Sequence, residues 1–353
     1  MIEKSLTVRV RRALTKTEGE RFLQCLERFK KARILVIGDF ILDQFVWGTV
    51  DRISPEAPVP VVNVQRESYM PGGALNVANN IHSLGGIVYP CGVVGRDLTG
   101  RMLVKTIRSE GIDTDGIIYD STRPTSLKTR VIAHSQQVVR FDREKTADVS
   151  EEALKRIIHF VKRRISSVDA VIIEDYGKGV IQPKLLKQVV SLAKGFRKPV
   201  LVDPKEKNFP YYTGVTGITP NRKEAYAGSG LNHAAKNYSI EEAGRKLLRK
   251  LKTKAVLITL GEDGMALFER NGTGVKIPTT AREVYDVSGA GDTVIAVFGL
   301  ALAAGAGMKD AAVLSNLAAG IVVGKLGTAT VLPAELRKGI MEYTNHPSKS
   351  RFS

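Results

Sequence analysis

The chain has 353 residues and a formal net charge of +17, and 43% of its residues are hydrophobic. This size and composition are typical of a globular protein with one large domain or two modest ones. They argue against a secreted or membrane-spanning protein, because the basic N-terminus has no secretory hydrophobic run and no apolar stretch approaches the ~20 residues that cross a bilayer. Cys25 and Cys91 are too few for a disulfide framework or a metal site, so we expect a cytoplasmic protein.

Part of the positive charge lies near the N-terminus, where residues 1–33 hold ten Lys and Arg against four Glu. A basic segment can bind nucleic acid, but the sequence has no zinc-finger, RNP-like or basic-zipper pattern. A basic surface also suits an enzyme that handles doubly anionic substrates. We therefore expect neither nucleic acid nor a membrane as a partner.

Hydrophobic periodicity predicts a helix over 15–31 and alternating strands and helices from residue 34 onward. The predicted strands cover 34–38, 88–94, 170–173, 199–202 and 255–260, and the predicted helices cover 99–110, 153–165, 183–194 and 240–251. Apolar strands separated by amphipathic helices favour a mostly parallel sheet with helices on both faces.

Two segments, 45–64 and 116–142, interrupt this alternation with β-branched and alternating residues. We predict that they form antiparallel strands outside the main sheet, as a lid. The predicted organisation is a basic extension with a helix over 1–33, one domain over 34–345 that includes the lid, and a tail over 346–353.

The most informative motif is Asp286–Asp292, in which Gly289, Ala290 and Gly291 are followed by a carboxylate and then by an apolar run. This pattern predicts a tight loop that opens a helix, whose backbone amides and dipole can hold an anion. Asp292 would then be a base beside a bound phosphate. Two other phosphate motifs fit poorly: a Walker A candidate near residue 320 lacks its Ser or Thr, and a dinucleotide fingerprint lacks its third glycine.

A second motif makes the assignment specific. The segment Gly72–Ala78, with Gly85 and Gly95 after it, resembles the N-terminal signature of the ribokinase-like (PfkB) carbohydrate kinases, and Asp286–Asp292 resembles their C-terminal signature. The resemblance extends from about residue 34 to residue 336. It implies a ribokinase-like α/β three-layer sandwich, with a mostly parallel central sheet and a small β-sheet lid. It also implies ATP and Mg²⁺ as cofactors, and it leaves dependence on a monovalent cation open.

Within the family, Arg52–Pro60, Gln136–Asp142 and Glu283–Val294 resemble the heptose 7-phosphate kinases that form one half of bacterial ADP-heptose synthesis proteins. The resemblance implies phosphorylation of the C1 hydroxyl of D-glycero-β-D-manno-heptose 7-phosphate, for lipopolysaccharide core precursors. Because the chain has no room for a nucleotidyl-transferring domain after its last helix, we expect the stand-alone kinase form. Two alternatives stay open: a PfkB kinase for another sugar, sugar phosphate or nucleoside, and an inactive kinase fold that binds nucleic acid or regulates.

The resemblance also assigns roles to individual residues. The predicted sugar-binding residues are Asp39, Asp43, Gly72, Gly73 and Asn76, since short acids can accept from the hydroxyls of a diol and glycine lets the backbone approach the sugar. Asp39 has an alternative interpretation as a turn residue.

The predicted nucleotide-binding elements follow two later strands. Asn221-Arg222-Lys223-Glu224 resembles the Asn-x-x-Glu element of the family, in which Glu224 would hold Mg²⁺ through water. The predicted contacts to ribose, phosphates and adenine are Thr259, Gly261, Gly264 and Asn316. Packing or capping of its helix is an equal alternative for Asn316.

A phosphate on the sugar requires fixed cations, for which Arg52, Arg140 and Lys178 are the candidates. Exposed strand edges of the lid also invite pairing with a second copy, so we expect a homodimer.

Overall fold

The computed structural model describes residues 9–10, 14–134, 136–231, 239–281 and 283–345. The predicted tail at 346–353 and much of the segment before residue 14 lie outside these ranges. Within them the strands are β1 Arg9–Val10, β2 Arg33–Gly38, β3 Phe40–Ile53, β4 Pro60–Gly73, β5 Ile87–Gly95, β6 Ile117–Asp120, β7 Ser126–Ala133, β8 Gln136–Arg143, β9 Ala170–Glu174, β10 Val200–Asp203, β11 Gly217–Ile218, β12 Ala255–Thr259, β13 Met265–Glu269 and β14 Gly274–Ile277.

The helices of the same ranges alternate with these strands. They are α1 Lys16–Arg28, α2 Ala74–Ser83, α3 Leu98–Ser109, α4 Glu151–Arg164, α5 Pro183–Gly195, α6 Arg222–Ser229, α7 Ile240–Leu251, α8 Ala290–Ala303, α9 Met308–Val322 and α10 Pro333–Asn345. None of them combines the length and the apolarity needed to cross a bilayer.

The strands form two sheets. The large sheet has the order β1-β14-β13-β12-β11-β10-β9-β2-β5-β6, and it is parallel from β12 to β6 and antiparallel around β13. The small sheet has the order β4-β3-β7-β8, with antiparallel outer pairs and a parallel β3–β7 pair at its centre. The predicted α/β class, with a mostly parallel large sheet and a second small sheet, is confirmed.

The segment 116–142 differs in part from its prediction as a region outside the main sheet. Its first strand, β6, lies at the edge of the large sheet, where it pairs in parallel with β5. The reason is burial: Ile117 and Ile118 are both buried, and a short apolar strand of this kind fits a sheet covered on both faces better than an exposed hairpin. The rest of the segment supplies β7 and β8 of the small sheet.

The core has two halves, one on each face of the large sheet. On β2, Ile34 and Val36 point into the half that contains α2, α8 and α9, whereas Leu35 and Ile37 point into the half that contains α4, α5 and α7. This alternation is the two-residue period of a strand buried on both faces. Helix α1 adds its apolar side to the first half, beside α10.

The topology brings several strand ends to one edge of the large sheet. Gly38 at the end of β2 is in register with Glu174 at the end of β9, and Glu174 is in register with Asp203 at the end of β10. In open α/β sheets this carboxyl edge is where ligands bind. The loop before α8 reaches the same edge, as the contacts below show.

Candidate active site

The loop before α8 has the conformation that its glycines allow. Gly289 is the N-cap of the helix, with a φ of 77° that an L-residue rarely adopts, and a Cβ there would lie 2.6 Å from Asn76 Nδ2. Asp286 shapes the same loop, because its carboxylate accepts from the amides of Ser288 (2.8 Å) and Gly327 (3.0 Å). The amides of Gly289, Gly291 and Asp292 have no acceptor among the described residues. They are therefore available to an anion at the helix N-terminus.

Asp292 lies in the first turn of α8 and is only 3% exposed. Its two carboxylate oxygens accept hydrogen bonds from Asn76 Nδ2 (2.6 Å) and from the Tyr176 hydroxyl (2.8 Å). Burial raises the pKa of Asp292 to about 6, while these two donors lower it and the charge of Asp43 raises it further. A carboxylate with a pKa close to neutrality can both stay ionised and accept a proton.

Three acidic side chains meet at this edge of the sheet. Oxygen atoms of Glu174, Asp203 and Asp292 lie within 4.8 Å of one another, and we call these residues the carboxylate cluster. Glu174 is fully buried, and neither of its carboxylate oxygens has a hydrogen-bond partner among the described residues. Burial, and then the neighbouring acids, raise the pKa of Glu174 well above its ordinary value and that of Asp203 to about 8. An unpartnered buried acid beside two others is the arrangement that a cation would satisfy.

The base of the small sheet adds Asp43, which is buried on β3. Arg130 on β7 donates to Asp43 Oδ1 at 2.5 Å, and its guanidinium lies 5.3 Å from the centre of the Phe45 ring. Gly72 is required beside this pair, because a Cβ at that position would overlap Asp43 Oδ2. Gly73 begins α2 with a φ of 58°, and that helix carries Asn76 to Asp292. The fold thus brings together four of the residues predicted to bind sugar: Asp43, Gly72, Gly73 and Asn76.

Asp39 makes different contacts from these four residues. It is 1% exposed, and its carboxylate accepts from the backbone amides of Tyr176 (3.0 Å), Lys178 (2.9 Å) and Val180 (3.1 Å). Burial raises the pKa of Asp39 to about 6, against the effect of these three bonds. Asp39 itself lies between β2 and β3, and its carboxylate organises the turn that follows β9; sugar binding by Asp39 stays a prediction.

The predicted nucleotide elements lie at the ends of β11 and β12. Asn221 and Glu224 form a capping box at the start of α6, with bonds of 2.9 and 3.0 Å between the side chain of each and the backbone amide of the other. Asn221 also pairs with Thr259 at the end of β12. The charge of Glu224 contributes to the raised pKa of Asp203, so this element adjoins the carboxylate cluster.

The other predicted nucleotide-binding residues form ion pairs, turns or hydrogen bonds within the protein. Arg222 forms an ion pair with Asp263 (2.7 Å) and Lys223 lies 3.7 Å from Glu206. Gly261 and Gly264 have φ angles of 64° and 84° in the turn before β13. Asn316 is 3% exposed and donates to the carbonyl of Pro278 at 2.8 Å, which agrees with its alternative role in packing.

Among the described residues, no contact links the three basic side chains that were predicted to bind a sugar phosphate. Arg52 is exposed on β3, and Arg140 is exposed on β8 with its guanidinium 3.2 Å from Asp142. Lys178 is largely buried in an ion pair with Glu144. Arg52 and Arg140 thus lie on the small sheet, and Lys178 does not.

Four residues of this site were not predicted from the sequence. Glu174 and Asp203 end buried strands on the carboxyl edge of the sheet, and that position was the signal that could have identified them. Tyr176 stands in the turn after β9, and Arg130 faces Asp43 across the β3–β7 pair. Neither of these two has a local sequence signal, because both meet their partners only through the folded sheets.

Comparison with known proteins agrees with this geometry. The model of the pfkB family carbohydrate kinases matches residues 31–335. The chain belongs to the pfkB family of carbohydrate kinases. Two solved structures share its fold: Arabidopsis thaliana ribokinase complexed with ribose and ATP (TM-score 0.66, 20% identity, covering 91% of this chain and 99% of that one) and Escherichia coli phosphofructokinase-2 in complex with potassium (TM-score 0.74, 18% identity, 89% and 100%).

Curated relatives of this family member include bifunctional HldE proteins. That of Geobacter sulfurreducens is 49% identical over 302 residues, which are 86% of this chain and 61% of that protein. That of Syntrophotalea carbinolica is 42% identical over 342 residues, 96% of this chain and 69% of that protein. The chain thus spans about three-fifths to two-thirds of the length of these relatives. The predicted family is confirmed.

Proposed function

We propose that this protein is an ATP-dependent kinase that phosphorylates the anomeric C1 hydroxyl of D-glycero-β-D-manno-heptose 7-phosphate. The observation that carries the proposal is Asp292, a buried carboxylate at the N-terminus of α8, directly behind a loop with free backbone amides. The choice of sugar is supported by the motifs shared with heptose 7-phosphate kinases and by 42–49% identity to HldE proteins. ATP as the donor also favours the cytoplasm as the place of action.

In the proposed reaction, the amides of Gly289 and Gly291 and the dipole of α8 hold the γ-phosphate. The Ala290 amide, also predicted for this role, donates to the Val287 carbonyl at 3.3 Å and would have to leave that acceptor to join them. The sugar hydroxyl attacks the γ-phosphorus, the bond to the ADP oxygen breaks, and Asp292 takes the hydroxyl proton. Positioning and charge stabilisation provide most of the barrier reduction in such a transfer, since the phosphoryl group needs little covalent chemistry from the protein. Asp43, with Gly72, Gly73 and Asn76, would hold the sugar beside the base.

We further propose that Mg²⁺ is held by Glu174 and Asp203 of the carboxylate cluster, beside the base Asp292, and by Glu224. Mg²⁺ takes oxygen ligands and keeps several waters, so Glu174 and Asp203 could bind it directly and Glu224 through water. The unpartnered, buried oxygens of Glu174 fit this group better than they fit a water-free apolar core. The cation would neutralise charge on the nucleotide phosphates. Asn221, Thr259, Gly261 and Gly264 would line the nucleotide side.

The proposal places the sugar 7-phosphate against cations at the small sheet. Arg140 is half-exposed, and an anion can compete with the Asp142 carboxylate for its guanidinium because an exposed ion pair is weak. Arg52 and Lys178 are the other candidates. Reaching one phosphate with all three would require the small sheet to close over the sugar as a lid, which is part of the proposal.

We propose a homodimer through the small sheet. Its outer strands, β4 and β8, each have one edge that no other strand of the described residues covers. The small sheet also exposes large apolar side chains: Ile53, Val64, Val139 and Phe141. Exposed edges with apolar side chains are ready to pair with another copy. Light scattering after size exclusion would give twice the chain mass, and a monomer at micromolar concentration would contradict the proposal.

The kinase proposal is tested with a panel of sugars and sugar phosphates incubated with ATP and Mg²⁺. The assay follows ADP release and locates the new phosphate by ³¹P NMR. We expect the highest kcat/KM for the heptose 7-phosphate and a new phosphate on C1. Phosphoryl transfer to another sugar, or to another hydroxyl, would indicate a different substrate within the family. Transfer to no sugar of the panel would refute the proposed activity.

A further inference from the structure

Tyr176 is the residue at this site that the proposed reaction does not yet use. It lies in the turn that follows β9, and the backbone of this turn is fixed by Asp39. The three amides of Tyr176, Lys178 and Val180 all donate to the Asp39 carboxylate, at 3.0, 2.9 and 3.1 Å. A buried acid that is saturated by backbone donors holds its turn in one conformation, because moving the turn would leave the acid unpaired.

Asp175 holds the same turn from the other side. Its carboxylate accepts from Asn208 Nδ2 (2.6 Å) and from the Tyr212 hydroxyl (2.7 Å), and its other oxygen accepts from the amide of Gly177 (2.8 Å). Gly177 has a φ of 70°, which lets the chain reverse directly after Tyr176. Two buried carboxylates thus fix the backbone on which the Tyr176 ring stands.

The fixed turn places the hydroxyl of Tyr176 beside Asp292, where it donates to Oδ1 at 2.8 Å. Asn76 occupies Oδ2 at 2.6 Å. A carboxylate offers about four lone-pair sites. Asn76 and Tyr176 thus take one site on each oxygen, and the sites that remain are those that the proposed function leaves to the sugar hydroxyl.

We propose that the Tyr176 hydroxyl occupies the place on Asp292 that a water molecule would otherwise take, and thereby makes the enzyme select the sugar hydroxyl over water as phosphoryl acceptor. The inference rests on the proposed function, in which Asp292 is the base. It adds a specificity-determining residue that suppresses hydrolysis of ATP when no sugar is bound.

The competing reaction is simple. A water bound to Asp292 would attack the γ-phosphorus, the bond to the ADP oxygen would break, and the carboxylate would take the water proton, which gives ADP and inorganic phosphate. In Tyr176→Phe the ring remains but Oδ1 loses its donor. A buried oxygen without a donor recruits water where space allows, and the missing hydroxyl provides that space. A sugar is held by additional contacts, such as those at Asp43, and depends less on this position.

The test measures release of inorganic phosphate from ATP and Mg²⁺ without sugar, and ADP release with the best sugar of the panel. General-base assistance contributes about 10²–10⁴-fold, so a water placed on the base should gain at least part of it. We expect sugar-independent hydrolysis to rise about tenfold or more in Tyr176→Phe. Tyr212→Phe is the matched control, because it removes a buried hydroxyl from Asp175 and makes no contact with Asp292. The bonds of Asp175 to Asn208 and Gly177 remain to hold the turn, so hydrolysis should stay at the wild-type rate.

The double variant Tyr176→Phe/Asp292→Asn should lose the added hydrolysis, because the water would have no base. Three results would overturn the inference: hydrolysis at the wild-type rate in Tyr176→Phe, an equal rise of hydrolysis in Tyr212→Phe, or added hydrolysis that persists in the double variant. In each case the kinase proposal would still stand if the wild-type protein phosphorylates the sugar. A wild-type protein that phosphorylates no sugar would overturn the proposed function, and the inference with it.

Discussion

The substitution Asp292→Asn removes the proposed base and leaves the shape of the side chain nearly unchanged. Asn has the same shape, and its amide oxygen can still accept from Asn76 or from Tyr176. The variant loses the negative charge and the proton acceptor. General-base catalysis contributes about 10²–10⁴-fold, which is roughly 3–5 kcal/mol of transition-state stabilisation, and we expect kcat to fall within or beyond that range. Folding should not suffer, because the substitution removes one of three acids that lie within 4.8 Å.

The assay couples ADP release to a spectrophotometric readout, and thermal unfolding of the same samples reports stability. Asp115→Asn is the control, since that side chain is 70% exposed, pairs with Arg164 at 3.5 Å and should keep wild-type turnover when changed. We expect Asp292→Asn to have a Tm at or above that of the wild type and ATP binding close to normal. A kcat within about threefold of the wild type would refute the assignment of Asp292 as the base.

Three further predictions concern the loop, the cations and the acids. Gly289→Ala should lower both Tm and kcat, because a left-handed L-residue costs about 1–2 kcal/mol and the new Cβ would lie 2.6 Å from Asn76 Nδ2. Gly230→Ala is the control for the backbone cost alone, because Gly230 has a φ of 72° and open space at its Cβ; equal losses in both variants would contradict the contact with Asn76. Arg140→Ala should raise KM for the phosphorylated sugar far more than for ATP, and equal changes would argue against a substrate-phosphate role. Burial raises the pKa values of the carboxylate cluster, to about 8 for Asp203, so its protonated form stabilises the metal-free fold at low pH and this stability is lost as the pH rises through about 8. Mg²⁺ should therefore raise Tm more at about pH 8 than at about pH 6, and a pH-independent effect would contradict binding at the cluster.

The local elements could be predicted from the sequence where one pattern decides them. The helix predicted over 240–251 is α7, because Ser239 and Glu242 form a capping box before a regular apolar face. The loop before α8 could also be predicted, since a glycine such as Gly289 can adopt the left-handed φ, 77° here, with which the chain turns into the apolar helix. Strand bounds were predicted less well: β9 includes Glu174, which a search for apolar runs leaves out.

The parts of the site that could not be predicted are those that only the topology assembles. Glu174 and Asp203 are 29 positions apart in the sequence and become neighbours through the parallel pairing of β9 and β10. Arg130 reaches Asp43 through the parallel pair at the centre of the small sheet. Asp39 is a further example, because its three backbone donors become visible only in the folded protein, while its predicted role as a sugar ligand stays a prediction.

The central claim is that the loop at 289–292 holds the transferring phosphoryl group while Asp292 accepts the proton of the sugar hydroxyl. A crystal structure with a non-hydrolysable ATP analogue, Mg²⁺ and the heptose 7-phosphate tests it most directly. We predict the γ-phosphate at the amides of Gly289 and Gly291, and the C1 hydroxyl about 2.6–3.2 Å from the Asp292 carboxylate. A γ-phosphate bound elsewhere, or a C1 hydroxyl with no contact to Asp292, would contradict the account.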